Sequence, residues 1–342
     1  MDSSKAKLSF IEAQVEEWLN APSGPEHRDL IAQMFRTVRK LVDDGTSRGD
    51  LKILNRALRE LRYAFKIFAP HRIVRKVSIF GSTRVAQDNP YYQMAREFGR
   101  RLAEEGFMVI TGAGPGIMQA GHEGAGRDKS FGVNIRLPSV QQANPFIRGD
   151  PKLITFRYFF TRKLVFVKEA DAFVFFPGGF GTQDELIETL TLAQTGKSQL
   201  VPILLMDVPG QGYWEEWAEF VREAMLRYGY ISEPELSFFK IISDVETAIA
   251  EIKSFYRNYH SYRFVGRDLV IRINHPPTPA LLDALNREFV DILKGDTVKQ
   301  TEPLPDESDD PATLHLHRLV MHFNREDFAR LRQMIDVINL YQ

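Results

Sequence analysis

The chain contains no cysteine. Disulfides, thiol nucleophiles and cysteine-based zinc sites are therefore excluded, and a reducing compartment suits it. It also has almost no net charge, −1 at pH 7, so the basic footprint of a nucleic-acid binder is missing. No run approaches the roughly 20 apolar residues of a membrane span, and the first residues are polar, which leads to the expectation of a soluble, cytoplasmic protein without membrane partners. Its 342 residues, 44% of them hydrophobic, suffice for one substantial core and a smaller domain. Five histidines in the last third, His260, His275, His315, His317 and His322, are scattered. His315-x-His317 reads as part of an alternating strand, and neither a metal site nor a cofactor is expected.

Two familiar nucleotide fingerprints are absent as well. Residues 107–110 read as a strand, and Thr111-Gly112-Ala113-Gly114-Pro115-Gly116-Ile117-Met118 opens the next helix in a Rossmann-like setting. The third glycine stands at Gly116, one position early for G-x-G-x-x-G. About 20 residues on, where an acid should grip a ribose, the chain has Asn134, Ile135 and Arg136. NAD is thus disfavoured. Gly196-Lys197-Ser198 resembles the end of a Walker A loop, but Thr191 occupies the place of its first glycine and the segment follows a helix, so Gly196 reads as a helix C-terminal glycine.

What is present is a loop almost without side chains. Pro177-Gly178-Gly179-Phe180-Gly181-Thr182-Gln183-Asp184-Glu185 follows the apolar run Ala172-Phe173-Val174-Phe175-Phe176, a buried parallel strand by its pattern, and leads into a helix. Three glycines in four positions let a ligand approach the backbone, and a helix N-terminus offers free N–H groups and the positive end of a dipole. An anion such as phosphate is the natural occupant. Thr182 and Glu185 also have capping-box spacing, which would give Glu185 a purely structural role. A third loop, Gly81-Ser82-Thr83, ends the strand at 76–80. Strands at 76–80, 107–111, 131–136, 172–176 and 200–205 alternate with helices at 91–105, 116–127, 157–169, 183–195 and 213–227. That order implies an α/β fold with a doubly wound, mostly parallel Rossmann-like sheet, its three loops on the carboxyl edge of the strands.

With Phe160-Thr161-Arg162-Lys163 and Gly112-x-Gly114-x-Gly116-x-Met118, the Pro-Gly-Gly-x-Gly-Thr-x-x-Glu nonapeptide resembles the Lonely Guy (LOG) family over about residues 74–230, in its longer bacterial branch. The resemblance implies cleavage of the N-glycosidic bond of nucleoside 5′-monophosphates, cytokinin ribotides or AMP-like, to free base and ribose 5-phosphate. It implies Arg162 and Glu185 as catalytic pair, Gly178, Gly179, Gly181 and Thr182 as phosphate loop, and a homodimer or larger homo-oligomer. Gly81, Ser82, Gly112, Gly114, Gly116, Met118, Asn134 and Phe159 are further candidates for substrate contact. From the residues alone, Arg162 could instead form a surface or interdomain ion pair, and Phe159 and Phe160, which could stack on a base, read first as core in an apolar stripe with Leu164 and Phe166. A non-catalytic carrier or sensor of a phosphorylated ligand, such as molybdenum cofactor, is the competing function. The segment 133–138 followed by Gln141-Gln142-Ala143-Asn144-Pro145 departs from the short members of the family.

The expected organisation is a helical extension over 1–73, a catalytic domain over 74–256 and a small α+β domain over 257–342. Helical spacing at 8–20, 26–43 and 49–70 suggests helices that cover the sheet or a neighbouring subunit. After 257 the pattern reads as ββα twice, with an acidic, exposed loop at 303–311.

Overall fold

The computed structural model describes residues 13–21, 27–138, 142–295 and 297–341. The start of the helix expected at 8–20 and Gln141 of the segment after strand 131–136 lie outside them. The chain forms two compact units, Met1–Arg59 and Glu60–Gln342.

In the first unit residues 13–20 are helical, α1 spans Arg28–Asp43, and α2, Arg48–Phe68, begins. α1 buries no residue, and Leu30, Met34, Val38 and Val42 form an exposed apolar row at four-residue intervals.

The second unit is built on a seven-stranded sheet in the order β4-β3-β2-β1-β5-β6-β7. The strands are β1 Lys76–Phe80, β2 Met108–Thr111, β3 Ser130–Ile135, β4 Leu153–Phe156, β5 Ala172–Phe175, β6 Ile203–Met206 and β7 Phe239–Ile242, and every pairing is parallel. Helices α3 Pro90–Glu104, α4 Ile117–Ala125, α5 Phe159–Glu169, α6 Phe180–Gln194, α7 Tyr213–Val221 and α8 Val245–Phe255 cover both faces. Alternate strand residues serve the two cores, as the pleat requires. Val77, Ile79, Val109 and Val174 pack with α3, α4 and α8. Phe80, Ile110, Phe131, Phe173 and Phe175 pack with Ala64 and Phe68 of α2, Phe166 of α5 and Trp214 of α7.

Three elements were not foreseen: β4, β7 and α8. Both strands have four residues and lie at the two edges of the sheet, so each is buried incompletely and shows no long apolar run. The helix expected through 213–227 ends at Val221 and continues as a π-helical turn, Arg222–Leu226.

The remaining residues build a four-stranded antiparallel sheet, β10-β11-β9-β8, from β8 Tyr259–Val265, β9 Asp268–Ile273, β10 Lys299–Thr301 and β11 His317–Met321. Helices α9 Pro279–Glu288 and α10 Phe328–Leu340 follow each strand pair, which is the ββα order twice. Leu269, Ile271, Leu319 and Met321 share one core with Phe255 of α8 and Ala193 of α6. The acidic stretch 303–311 is a mostly exposed loop, as expected, except that Glu307 turns inward. Arg272 and Arg318 are cross-strand neighbours buried on the sheet, and Glu307, also fully buried, lies against both, with Arg272 Nε–Oε1 at 3.0 Å and Arg318 Nε–Oε2 at 3.4 Å. Two desolvated guanidinium groups require an anionic partner, and the loop supplies it.

Candidate active site

β1 and β5 are neighbours at the centre of the sheet, and from them the chain winds outward in opposite directions. At such a switch point the loops after the two strands diverge and leave a crevice beyond the strand ends. Here the loops stay in contact at backbone level. Ser82 N donates to Pro177 O at 3.0 Å and Ile117 N donates to Ser82 O at 3.1 Å. A Cβ at Gly116, whose φ is +66°, would lie 2.3 Å from Ser82 O, so this contact needs glycine. The structure thus joins Gly81, Ser82, Gly116 and the 177–182 loop in one place.

The two kinds of glycine in the 177–182 loop have different reasons. A Cβ at Gly178 would sit 2.1 Å from Thr182 Oγ1 and 3.0 Å from Ser82 N, whereas Gly179 and Gly181 have no neighbouring atom within 4 Å of theirs. Packing demands the first and not the other two. α6 starts at Phe180 with Gly179 as its N-cap, and no side chain caps it. The capping box is therefore overturned: the helix begins early enough to put Thr182 in its first turn and Glu185 in its second, out of reach of the first donors. Among the described residues, the N–H groups of Gly179, Phe180, Gly181 and Thr182 donate no hydrogen bond; the first paired one is Gln183 N, to Gly179 O at 3.1 Å. Unpaired donors at the start of a fifteen-residue helix are the features that bind an anion.

Glu185 instead faces α5. Its Oε1 lies 3.1 Å from Arg162 Nη1, and both residues are buried, at 8% and 7% exposure. Arg162 Nε donates to Val133 O at 2.9 Å, and the guanidinium lies 4.9 Å over the Phe166 ring. A Cβ at Gly112 would be 2.5 Å from Arg162 Nη2 and 2.6 Å from Met118 Sδ. Gly112 and Met118 therefore form the seat of the arginine, and a surface ion pair is excluded. Burial pushes the Glu185 carboxyl above the ordinary carboxylate range, with Arg162 and Lys163 pulling it back. Burial likewise depresses Arg162, which Glu185 opposes, and a guanidinium remains charged throughout.

Asn134 follows Val133 at the carboxyl end of β3 and is half-buried. Phe159 and Phe160 are not core: they are 52% and 55% exposed at the start of α5, and Phe160 stacks on Tyr158. The helix turns Thr161, Arg162, Val165 and Phe166 inward instead, because Thr161 Oγ1 donates to the buried Glu60 at 2.7 Å and Arg162 to Val133. No group of three or more His, Asp or Glu side chains suited to a metal occurs among the described residues.

Two supports were not foreseen. Asn144 N donates to Ala113 O at 2.9 Å and its Nδ2 to Gly114 O at 3.1 Å, while His122 Nδ1 lies 3.1 Å from the same Nδ2. The Gly114 carbonyl fixes the amide orientation, so Nδ1 accepts and Nε2–H donates to Phe131 O at 3.0 Å. Burial lowers the pKa of His122 to about 4, despite these bonds. The second support is Tyr213, whose hydroxyl donates to Gly178 O at 2.6 Å and accepts from Gln183 Nε2 at 3.0 Å. None of these residues lies in a glycine motif; the hints were the places of His122 and Tyr213 in the helices that follow β2 and β6 and of Asn144 in the segment that departs from the short members of the family.

A family model described as "Possible lysine decarboxylase" matches residues 116–252. A "Probable cytokinin riboside 5'-monophosphate phosphoribohydrolase" of Arabidopsis thaliana is 30% identical over 44% of this chain and 74% of its own length. A relative of that same description from Oryza sativa is 29% identical over 47% of this chain, which spans 64% of that relative's length. The "Cytokinin riboside 5'-monophosphate phosphoribohydrolase" of Rhodococcoides fascians is 26% identical over 53% of this chain and 90% of its own length. Among solved structures, the molybdenum cofactor carrier protein of Chlamydomonas reinhardtii is 18% identical with a TM-score of 0.39, covering 53% of this chain and 96% of its own.

Proposed function

The chain belongs to the Lonely Guy (LOG) family, and from that premise we propose that it is a nucleoside 5′-monophosphate phosphoribohydrolase acting on cytokinin ribotides or AMP-like substrates. The observation that carries this reading is the buried Arg162–Glu185 pair, one helical turn beyond a row of unpaired backbone donors. The 5′-phosphate binds the N–H groups of Gly179, Phe180, Gly181 and Thr182, with Gly178 shaping the loop behind them. One turn of helix, about 5 Å, then separates phosphate from the Glu185 carboxylate, which comes to lie beside the ribose. As the N-glycosidic bond breaks, its electron pair leaves with the base and positive charge grows on the ribosyl centre. The carboxylate stabilises that charge and orients the water whose oxygen bonds to C1′, and the proton released from the water passes to the departing base. Arg162 holds Glu185 ionised in a site where burial alone would favour its acid form.

Gly81, Ser82, Gly112, Gly114, Gly116, Met118, Asn134 and Phe159 surround the ribose and base in this reading. The functional unit is a cytoplasmic homodimer or larger homo-oligomer, and residues 74–256 are its catalytic domain, flanked by the helices of 1–73 and the α+β segment 257–342. Incubating the purified chain with a panel of nucleoside monophosphates and assaying free base and ribose 5-phosphate tests the reaction. Tight binding without release of base would favour a carrier or sensor of a phosphorylated ligand.

A further inference from the structure

The peptide between Gly178 and Gly179 is flanked by two residues without side chains, so its plane has unusual freedom to rotate. Its orientation matters. In a rigid trans peptide the C=O and the following N–H point in opposite directions, and fixing Gly178 O fixes the Gly179 N–H. A rotated plane would withdraw that donor and turn a carbonyl oxygen toward an anion in its place.

Each carbonyl of this stretch already accepts a hydrogen bond from within the chain. Pro177 O accepts from Ser82 N, Gly179 O accepts from Gln183 N within the helix, and Gly178 O accepts from the Tyr213 hydroxyl at 2.6 Å. The first two bonds are backbone bonds of the fold itself; the third depends on one side chain. Gln183 Nε2 donates to the Tyr213 oxygen, which leaves the phenolic proton directed at Gly178 O. The tyrosine is held in turn. Asp207, buried at the end of β6, accepts from Trp214 N at 3.0 Å and from Val208 N at 2.9 Å, fixing the start of α7, and the Tyr213 ring packs edge-on against Trp214.

We propose that Tyr213 is a positioning residue for phosphate, holding the Gly178–Gly179 peptide with its N–H toward the ligand. This rests on the reading of the 177–182 loop as a phosphate site, and is independent of whether the bound nucleotide is cleaved.

The test compares the full chain with Tyr213→Phe, which keeps the ring and its packing. Ribose 5-phosphate, inorganic phosphate and unphosphorylated ribose are titrated by calorimetry, alongside thermal melting and KM for a nucleotide and its nucleoside. Loss of one directed hydrogen bond behind a charged ligand should weaken ribose 5-phosphate by about tenfold and raise the nucleotide KM similarly. Melting temperature and nucleoside KM should stay unchanged. Equal ribose 5-phosphate affinity in the two proteins overturns the inference, as does a loss shared by phosphorylated and unphosphorylated ligands together with a lower melting temperature. A parent protein that binds no phosphorylated compound overturns both this inference and the phosphate loop. Tyrosine-dependent phosphate binding without hydrolysis of any nucleotide supports the inference and removes only the proposed reaction.

Discussion

At the scale of single residues, Glu185 separates chemistry from architecture. Its partner is a buried guanidinium and not a backbone donor. Glu185→Gln can keep one hydrogen bond to Arg162, so nucleotide binding should persist while turnover falls at least a hundredfold, about 3 kcal/mol of transition-state stabilisation. Steady-state kinetics with a binding titration checks this, and parental turnover in the variant would strike Glu185 from the mechanism. His122 makes a second expectation. Its folded pKa is about 4 against an ordinary 6.5, so between those values the unfolded chain binds a proton that the native chain does not. Stability contributed by the neutral ring is therefore complete above pH 6.5 and is lost as pH falls to 4, about 3 kcal/mol in all. Denaturant titrations across that range should show a slope that His122→Asn reduces. The nonapeptide made Glu185 visible in the sequence, whereas no motif linked His122 with Asn144, whose contact exists because the segment after β3 folds back onto the loop after β2.

At the scale of elements, the α6 N-terminus yields a paired expectation. Gly181 is helical and its Cβ position is open, so Gly181→Ala should raise stability by up to about 1 kcal/mol yet weaken binding of phosphorylated ligands, because the methyl group stands among the donors. Gly178→Ala should instead lower stability, since its Cβ would collide with Thr182 and Ser82. Melting curves and ribose 5-phosphate titrations of both variants decide, and a stabilised Gly178→Ala would contradict the loop geometry. The same loop explains why the capping box failed as a reading: Thr-x-x-Glu spacing has the same form whether a helix begins at residue 180 or 183, and only the φ and ψ of Gly179 decide the start. Strand and helix positions of the central sheet were legible from apolar runs and glycine punctuation. β4 and β7 were not, since an edge strand of four residues carries too little pattern.

At the scale of the whole molecule, Phe159, Phe160, Leu164 and Phe180 lie exposed on α5 and α6 beside the site, Phe180 at 96%. Such a band suits the expected homo-oligomer. Light scattering should give at least a dimer, and a fully active monomer would refute it. The C-terminal sheet offers an independent check. Glu307→Gln removes the anion shared by Arg272 and Arg318, leaving Asp310 on Arg272 alone, and should cost about 3 kcal/mol of stability in equilibrium unfolding without changing ligand affinity.

Composition and local pattern alone determined the fold class, the order of most elements, and the glycine loops as candidate anion sites, because periodicity and glycine content act over a few neighbouring residues. Tertiary structure decided what each of those residues faces. Arg162 and Glu185 are 23 residues apart in sequence and meet only because α5 and α6 flank one strand on one face of the sheet. Phe159 and Phe160 stayed outside the core because the helix turns Arg162 inward, and Glu307 went inside because two arginines were already there. Burial and pairing of charges over long separations are properties of the packed chain, and no local spacing encodes them.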